Sequence, residues 1–246
     1  MRRKIKKEIF EELGFGIKEF SLDGRDCILV SPKTPRADGK WLLKTEYFGA
    51  FPNFEIEMLN RGYYLAHIQS TSRWCPEEDI HARAKFCRYI VESFGLFERC
   101  MPIGMSCGGM QAVYLTAMYP HLVSALYLDA PVMNLLSCPC GLGEATEKLY
   151  EEFFEDMGMT VSQLLNYRRH PVDYLDKLLE ARKPVALVCG DVDRVVPYCE
   201  NGRMLSEAYR KTDIPFFEVL KQGCDHHPHG LDDVSPLVEF AERYYN

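Results

Sequence analysis

The residues best placed to do chemistry are a serine, an acidic loop and a histidine cluster, which follow one another in that order. Ser106 lies in the run Gly-Met-Ser-Cys-Gly-Gly at 104–109, between an apolar segment and a segment with helical periodicity. Glycines two residues to either side would let a strand and a helix approach closely while the turn lifts the hydroxyl above the sheet. The pattern predicts a nucleophilic serine; the alternative is a glycine-rich turn without chemistry.

A serine hydroxyl is a poor nucleophile, so it needs an imidazole to take its proton and a carboxylate to orient that imidazole. Both occur later in the chain. The run Gly-Asp-Val-Asp-Arg-Val-Val-Pro at 190–197 is a carboxylate-bearing loop after an apolar strand, and Gly-Cys-Asp-His-His-Pro-His at 223–229 follows the last predicted strand. The sequence therefore predicts three loops that meet at one edge of a sheet.

Short β-rich runs alternate with helical patterns throughout, which predicts an α/β fold with a mostly parallel sheet and helices on both faces. Asp23-Gly24 indicates a hairpin between the first two strands. The predicted strands are 15–20, 26–30, 41–47, 63–68, 100–104, 124–128, 185–189 and 216–220, and the predicted helices outside the region 134–183 are 53–60, 76–94, 107–118, 198–210 and 234–245.

The stretch 134–183 interrupts this rhythm. It contains Cys138-Pro139-Cys140, which we interpret as a turn, and helical patterns at 145–156, 161–167 and 172–182. Thr160 begins a predicted capping box. We therefore expect one domain over 1–246 with a helical lid, 134–183, inserted over the site.

Composition excludes several classes of function. The 246 residues carry 29 Lys and Arg against 36 Asp and Glu, a net charge of −7, which argues against nucleic acid as a partner. Apolar runs such as 184–189 are far shorter than the ~20 residues of a membrane span. Residues 1–7 are basic, but glutamates follow where a signal peptide needs an apolar region, so we expect a short amphipathic helix and a cytoplasmic protein with reduced thiols.

From about residue 15 onward the chain resembles an α/β-hydrolase of the bacterial esterase and acyl-hydrolase branch, which is also similar to prolyl-oligopeptidase-type catalytic domains. The resemblance rests on the 104–109, 190–197 and 223–229 segments. It implies that Ser106 is the nucleophile, that Asp193 is the acid, from the spacing Gly-x-x-Asp-x-x-Val-Pro, and that His226 is the base.

Alternatives remain at two of these positions. Many relatives have glycine directly before the catalytic histidine, where this chain has Asp225, so His227 and His229 are rival bases. Asp129, at the end of a strand, is a rival acid because some relatives take their acid there. Asp191 is better interpreted as a turn former.

The oxyanion of the tetrahedral intermediate needs hydrogen-bond donors. One is expected from the backbone N–H of Cys107, and the other from the loop after the third strand, with Tyr47 or Phe48 as the donor. This loop lacks the His-Gly pair common in relatives. The thiol of Cys107 is expected to pack in the helix rather than react.

These features predict a serine hydrolase that cleaves a carboxylic ester through an acyl-enzyme, without cofactor or metal. The resemblance suggests a short acyl group such as acetyl on a larger alcohol, a carbohydrate among them. A peptidase of the prolyl-oligopeptidase type is an alternative, since the same triad cleaves amides. A hydrolase-fold binding protein without turnover is another, and a metal site at the histidine cluster is the weaker interpretation of those residues.

Overall fold

The computed structural model describes residues 5–246. Within this range the chain forms an eight-stranded sheet with the order β1-β2-β4-β3-β5-β6-β7-β8. The strands are β1 (Gly16–Leu22), β2 (Arg25–Ser31), β3 (Trp41–Lys44), β4 (Tyr64–Ile68), β5 (Met101–Met105), β6 (Leu126–Asp129), β7 (Val185–Gly190) and β8 (Phe216–Lys221). β1 and β2 form the predicted antiparallel hairpin, β2 pairs antiparallel with β4, and all other pairs are parallel.

Helices cover both faces of this sheet. They are α1 (Glu8–Glu12), α2 (Asn53–Asn60), α3 (Glu77–Phe94), α4 (Cys107–Met118), α5 (Tyr150–Met157), α6 (Val161–Leu165), α7 (Leu175–Glu180), α8 (Gly202–Tyr209) and α9 (Ser235–Tyr244). The predicted α/β architecture is confirmed. The predicted basic N-terminal helix falls partly on residues 1–4, which lie outside the described residues.

The core consists of two apolar clusters, because alternate residues of a strand point to opposite faces. In β3, Trp41 and Leu43 belong to the cluster shared with α3 and α4, whereas Leu42 belongs to the cluster shared with α2 and α9. Helix α4 is buried on all sides from Cys107 to Ala117 because it lies between the sheet and the 134–183 segment. This position explains why its sequence is apolar all round rather than amphipathic.

The first helix of the 134–183 segment, α5, starts later than predicted. It begins at Tyr150 rather than near residue 145. The backbone just before this helix hydrogen-bonds to distant residues instead. The N–H of Glu144 donates to Glu200 Oε1, and the N–H of Thr146 donates to the Arg194 carbonyl. These long-range bonds replace the local bonds of a helix. The predicted capping box at Thr160 is present.

Two other predicted elements are shorter in the structure. β3 ends at Lys44 instead of continuing to Tyr47, whose φ of +55° is incompatible with a strand. The helix predicted over 198–210 begins at Gly202, because Asn201 has non-helical dihedrals and its side chain accepts the N–H groups of two residues at 133 and 134. Both departures occur in loops that reach the edge of the sheet where the site lies.

Among residues 5–246, no helix combines the length and the apolar character that crossing a bilayer requires. All ten cysteines fall in this range; none is in a disulfide, and eight are buried.

Candidate active site

Ser106 lies at a sharp turn between β5 and α4. Its φ of +53° and ψ of −119° belong to a region that a non-glycine residue seldom occupies, so the surrounding contacts must hold it there. Its N–H donates to the Asp129 carbonyl at 2.9 Å, and its carbonyl accepts from Gly109 at 2.9 Å. The turn lifts the hydroxyl out of the sheet, as the sequence predicted.

Glycine is required on both sides of this turn. A Cβ on Gly104 would lie 2.4 Å from the Gly108 carbonyl oxygen, and one on Gly109 would lie 2.5 Å from the Cβ of Pro131. In proteins a Cβ atom does not approach a non-bonded heavy atom this closely. The glycines of the motif therefore permit the close packing of β5, α4 and the loop after β6.

The structure brings the three predicted residues together. His226 Nε2 lies 3.1 Å from Ser106 Oγ, and His226 Nδ1 lies 2.7 Å from Asp193 Oδ2. The Asp193 side chain is 1% exposed, and its other oxygen, Oδ1, accepts the N–H groups of Val195 and Val196 at 2.9 and 2.7 Å. With Asp193 Oδ2 as the acceptor of the Nδ1 proton, the Nε2 lone pair is free for the serine proton.

Two loops carry the acid and the base, and Asp225 joins them. Its carboxylate accepts the N–H of Arg194 at 2.9 Å and the N–H of His226 at 2.8 Å, and the Arg194 guanidinium donates to it at 2.7 Å. The two backbone donors lower the pKa of Asp225 to about 2. Asp225, which directly precedes His226, thus fixes the loop after β7 to the loop after β8.

A second aspartate–histidine pair lies beside the first. His229 Nδ1 is 2.5 Å from Asp129 Oδ1, while the N–H of Gly230 and the phenol of Tyr127 donate to Asp129 Oδ2 at 2.7 and 3.0 Å. Burial favours protonation of Asp129, but the hydrogen bonds from His229 and Gly230 hold its pKa below the ordinary value. The rings of His229 and His226 are 4.7 Å apart. Sequence reasoning considered both residues separately and missed that they pair with each other.

Neither of the remaining rivals, His227 and Asp191, hydrogen-bonds to the serine hydroxyl. His227 is exposed, and its ring stacks on Phe51 with centroids 5.6 Å apart. Asp191 accepts the N–H of Gly223 at 2.7 Å, which is the turn-forming contact expected of it. Among the predicted bases and acids, His226 and Asp193 are the two whose side chains connect to the Ser106 hydroxyl.

The two expected oxyanion donors lie in neighbouring elements. Cys107 opens α4 directly after the serine, and Tyr47 lines the same pocket as Ser106 from the loop after β3. Burial raises the pKa of the Tyr47 phenol well above its usual range, and its hydrogen bond with Cys107 adds to this effect. The side chain of Phe48 is instead buried against Phe10 and His67. The pocket wall is therefore formed by Tyr47 rather than by the Phe48 ring.

A buried polar network supports the loop that carries Tyr47. The Arg83 guanidinium donates to the Thr45 carbonyl at 3.2 Å and to Gln111 Oε1 at 2.7 Å. Gln111 Nε2 in turn donates to Glu46 Oε2 at 2.9 Å and to the Arg73 carbonyl at 3.0 Å. Buried polar groups need such partners, so the network fixes this loop relative to α3 and α4. No local sequence signal marks it.

The Ser106 hydroxyl opens into a cavity of about 280 Å³. The 134–183 segment contributes Cys138, Glu147 and Leu149 to its wall, and Phe51 also lines it. Arg73 also lines the cavity and is paired with Glu152 of α5. The cavity is thus bounded by the sheet edge on one side and by the 134–183 segment on the other.

Comparison with solved structures shows the same fold. A puromycin-hydrolyzing peptidase of Mycobacterium tuberculosis is 15% identical with a TM-score of 0.73, over 93% of this chain and 39% of that one. An acylaminoacyl peptidase of Pyrococcus horikoshii is 16% identical with a TM-score of 0.72, over 97% of this chain and 43% of that one. An esterase of Pyrococcus furiosus is 13% identical with a TM-score of 0.68, over 100% of this chain and 98% of that one. The chain spans about two fifths of the two peptidases.

Sequence comparison identifies the family. No curated protein matches the chain. The model of the prolyl oligopeptidase family, however, matches residues 72–246. This range contains the segments 104–109, 190–197 and 223–229, which carry Ser106, Asp193 and His226. The predicted resemblance to α/β-hydrolases with prolyl-oligopeptidase-type catalytic domains is confirmed, and the chain belongs to the prolyl oligopeptidase family of serine hydrolases.

Proposed function

We propose that the chain hydrolyses carboxylic esters with short acyl groups through an acyl-enzyme on Ser106. The observation that supports this most strongly is the continuous hydrogen-bonded string from Asp193 through His226 to Ser106. His226 Nε2 accepts the serine proton as Oγ attacks the carbonyl carbon, and Asp193 stabilises the imidazolium that forms. The imidazolium then protonates the leaving alcohol, and water releases the acid by the same steps in reverse. The proposed reaction needs no cofactor.

The oxyanion is stabilised in this proposal by the N–H of Cys107 and by Tyr47. The positive φ of Tyr47 turns the chain at the pocket wall, and the phenol lies next to the start of α4. Loss of one such donor typically costs ~10²- to 10³-fold in turnover. A Tyr47→Phe variant separates the two ways in which this residue can donate, because it removes the hydroxyl and keeps the backbone N–H.

The proposed preference for a short acyl group rests on the small volume of the cavity. A cavity of about 280 Å³ is slightly below the ~300 Å³ at which pockets for drug-sized ligands begin. Leu149 and Val195 give its wall an apolar part that suits an acetyl or butyryl chain. A long acyl chain would have to displace the 134–183 segment, which we propose acts as a lid.

A peptidase acting on short peptides is the second candidate. Family membership favours it, and two of the similar structures are peptidases. Within the site, Glu147 places an exposed carboxylate at the cavity wall, where it can pair with the amino group of a peptide. In that case the same nucleophile and base would act on an amide, with the imidazolium protonating the leaving amine.

A competition assay separates these candidates. Nitrophenyl acetate, butyrate and octanoate, acetylated sugars, and aminoacyl and prolyl nitroanilides are supplied at equal concentrations, with Ser106→Ala as the control for background hydrolysis. The proposal predicts that kcat/KM is highest for the acetyl or butyryl esters and falls sharply for octanoate. A prolyl or aminoacyl amide with the higher kcat/KM would overturn the ester assignment and support the peptidase.

A further inference from the structure

Three imidazoles converge at the mouth of the cavity. One ligand nitrogen from each of His226, His227 and His229 lies within 4.8 Å of the others. Their ring centroids are 4.7 to 4.9 Å apart. The proposed hydrolysis uses one of these rings, so the grouping of the other two around it calls for its own explanation.

Two of the rings are oriented by buried carboxylates. Asp193 holds Nδ1 of His226, and Asp129 holds Nδ1 of His229. In each ring the hydrogen bond at Nδ1 leaves the lone pair on Nε2. A carboxylate on the far nitrogen is the usual arrangement around metal-binding histidines, where it fixes the ring and strengthens the ligand.

The third ring is reachable from solvent. His227 is exposed and adjoins both of the others, and all three residues line the cavity that contains the serine. The two nearby aspartates supply negative charge that compensates a cation, since both carboxylates are buried with side chains at most 2% exposed. An ion can therefore enter from the open side and meet preoriented nitrogens.

We infer that His226, His227 and His229 form a site for a divalent transition metal, best suited to Zn²⁺, whose occupation blocks the hydrolytic centre. Imidazole is a ligand for Zn²⁺ and other divalent transition metals, and three histidines with one open position suit the tetrahedral geometry of Zn²⁺. A tetrahedral ion with bonds of about 2.1 Å needs nitrogens about 3.4 Å apart, so the widest separation must shrink by about 1.4 Å on binding. The exposed His227 side chain can move toward the nitrogens of the other two rings.

A bound metal would block hydrolysis because it uses the same lone pair of His226 as the reaction. A metal on His226 Nε2 occupies the lone pair that accepts the serine proton, so Ser106 can no longer be activated. This part of the inference rests on the proposed function, whereas metal binding itself does not. The sequence-based expectation is a reaction without a metal. The ion inferred here is an inhibitor and takes no part in that reaction.

Calorimetric titration of the chelator-treated protein with Zn²⁺ tests the binding. A Cys199→Ser, Cys224→Ser background removes the two thiols that are not buried. We expect one site, weakened at least tenfold by His227→Gln or His229→Gln and ~10- to 100-fold by Asp129→Asn, the outer carboxylate. Titration with Co²⁺ should give the visible spectrum of a tetrahedral ion without thiolate-to-metal bands.

Control variants make the result specific. His121→Gln changes an exposed histidine on a distant turn and should leave Zn²⁺ affinity unchanged. Ser106→Ala should also bind Zn²⁺ normally, which keeps the test valid even if no hydrolysis is found. Absence of binding, or equal affinity in the wild type and a His227→Gln, His229→Gln double variant, would overturn the site.

Inhibition is measured on the same proteins, with each rate divided by that variant's own rate in chelator. Zn²⁺ should slow ester hydrolysis in the wild type, less so in His227→Gln, and excess chelator should restore the rate. Zn²⁺ that binds the three histidines but leaves the hydrolytic rate unchanged would refute the blocking role. A protein that binds Zn²⁺ but hydrolyses nothing would instead contradict the proposed function alone.

Discussion

Replacement of Asp193 by asparagine should disable the site while leaving its shape nearly unchanged. Oδ1 of Asp193 accepts two backbone N–H groups, from Val195 and Val196, so the amide oxygen of an asparagine must take that position. The amide NH₂ then faces His226 Nδ1 and donates to it. The ring is forced into the tautomer with its proton on Nε2, which cannot accept the proton of Ser106.

The size of the effect follows from this tautomer. The equivalent exchange in a serine triad lowers kcat by about 10⁴-fold, or about 5.4 kcal/mol of transition-state stabilisation. Because the backbone bonds to the side chain survive, the unfolding midpoint should change little. A large loss of kcat with a small change in Tm is therefore the expected combination.

Asp129→Asn is the matched control. Asp129 is as buried as Asp193 and bonds the neighbouring imidazole of His229 in the same way. Its side chain makes no hydrogen bond to Ser106, and asparagine keeps the backbone carbonyl that accepts the Ser106 N–H, so we expect a loss of kcat no greater than about tenfold. Steady-state hydrolysis of nitrophenyl acetate and thermal unfolding of both variants decide the matter. If Asp129→Asn is the more damaging variant, the assignment of the acid is wrong.

Gly109→Ala should lower the Tm by an amount equivalent to about 1–3 kcal/mol and reduce activity, because its Cβ would lie 2.5 Å from another carbon; thermal unfolding and hydrolysis measure this, and an unchanged Tm would refute the packing argument. Gln111→Leu should cost about 1–3 kcal/mol in urea unfolding and lower kcat, because it leaves buried polar groups of the loop network without partners; full activity would show that the network does not position the loop. A thiol reagent should modify Cys199 and Cys224 rapidly in the native protein, and the buried cysteines that do not line the cavity, such as Cys75, only after unfolding. Since burial raises the pKa of thiols such as Cys75 to about 12, raising the pH from about 7 to 9 should not recruit them.

Local patterns in the sequence predicted much of the fold. The helix over 107–118 has the predicted bounds, and the Asp23-Gly24 hairpin forms as expected, because both depend on neighbouring residues. The turn at Ser106 could also be predicted from the sequence, because the close approach of β5 and α4 requires its glycines. The order of the three loops along the chain then predicted their meeting at one sheet edge.

Long-range contacts explain what the sequence did not show. The late start of α5 depends on bonds from the preceding backbone to residues 194 and 200. The pairing of Asp129 with His229 joins positions 100 residues apart, and nothing local distinguishes it from a pairing of either with Ser106. The Arg83–Gln111 network likewise connects helices that meet only in the folded chain.

Labelling with a fluorophosphonate, followed by mass spectrometry of the digested protein, tests most directly whether Ser106 is a nucleophile activated by His226. We predict one stoichiometric adduct on Ser106, absent in Ser106→Ala and strongly slowed in His226→Ala, but retained in His227→Ala. A folded wild-type protein without an adduct would indicate a binding protein on a hydrolase fold, and labelling that survives in His226→Ala but is lost in His227→Ala would contradict the assignment of the base.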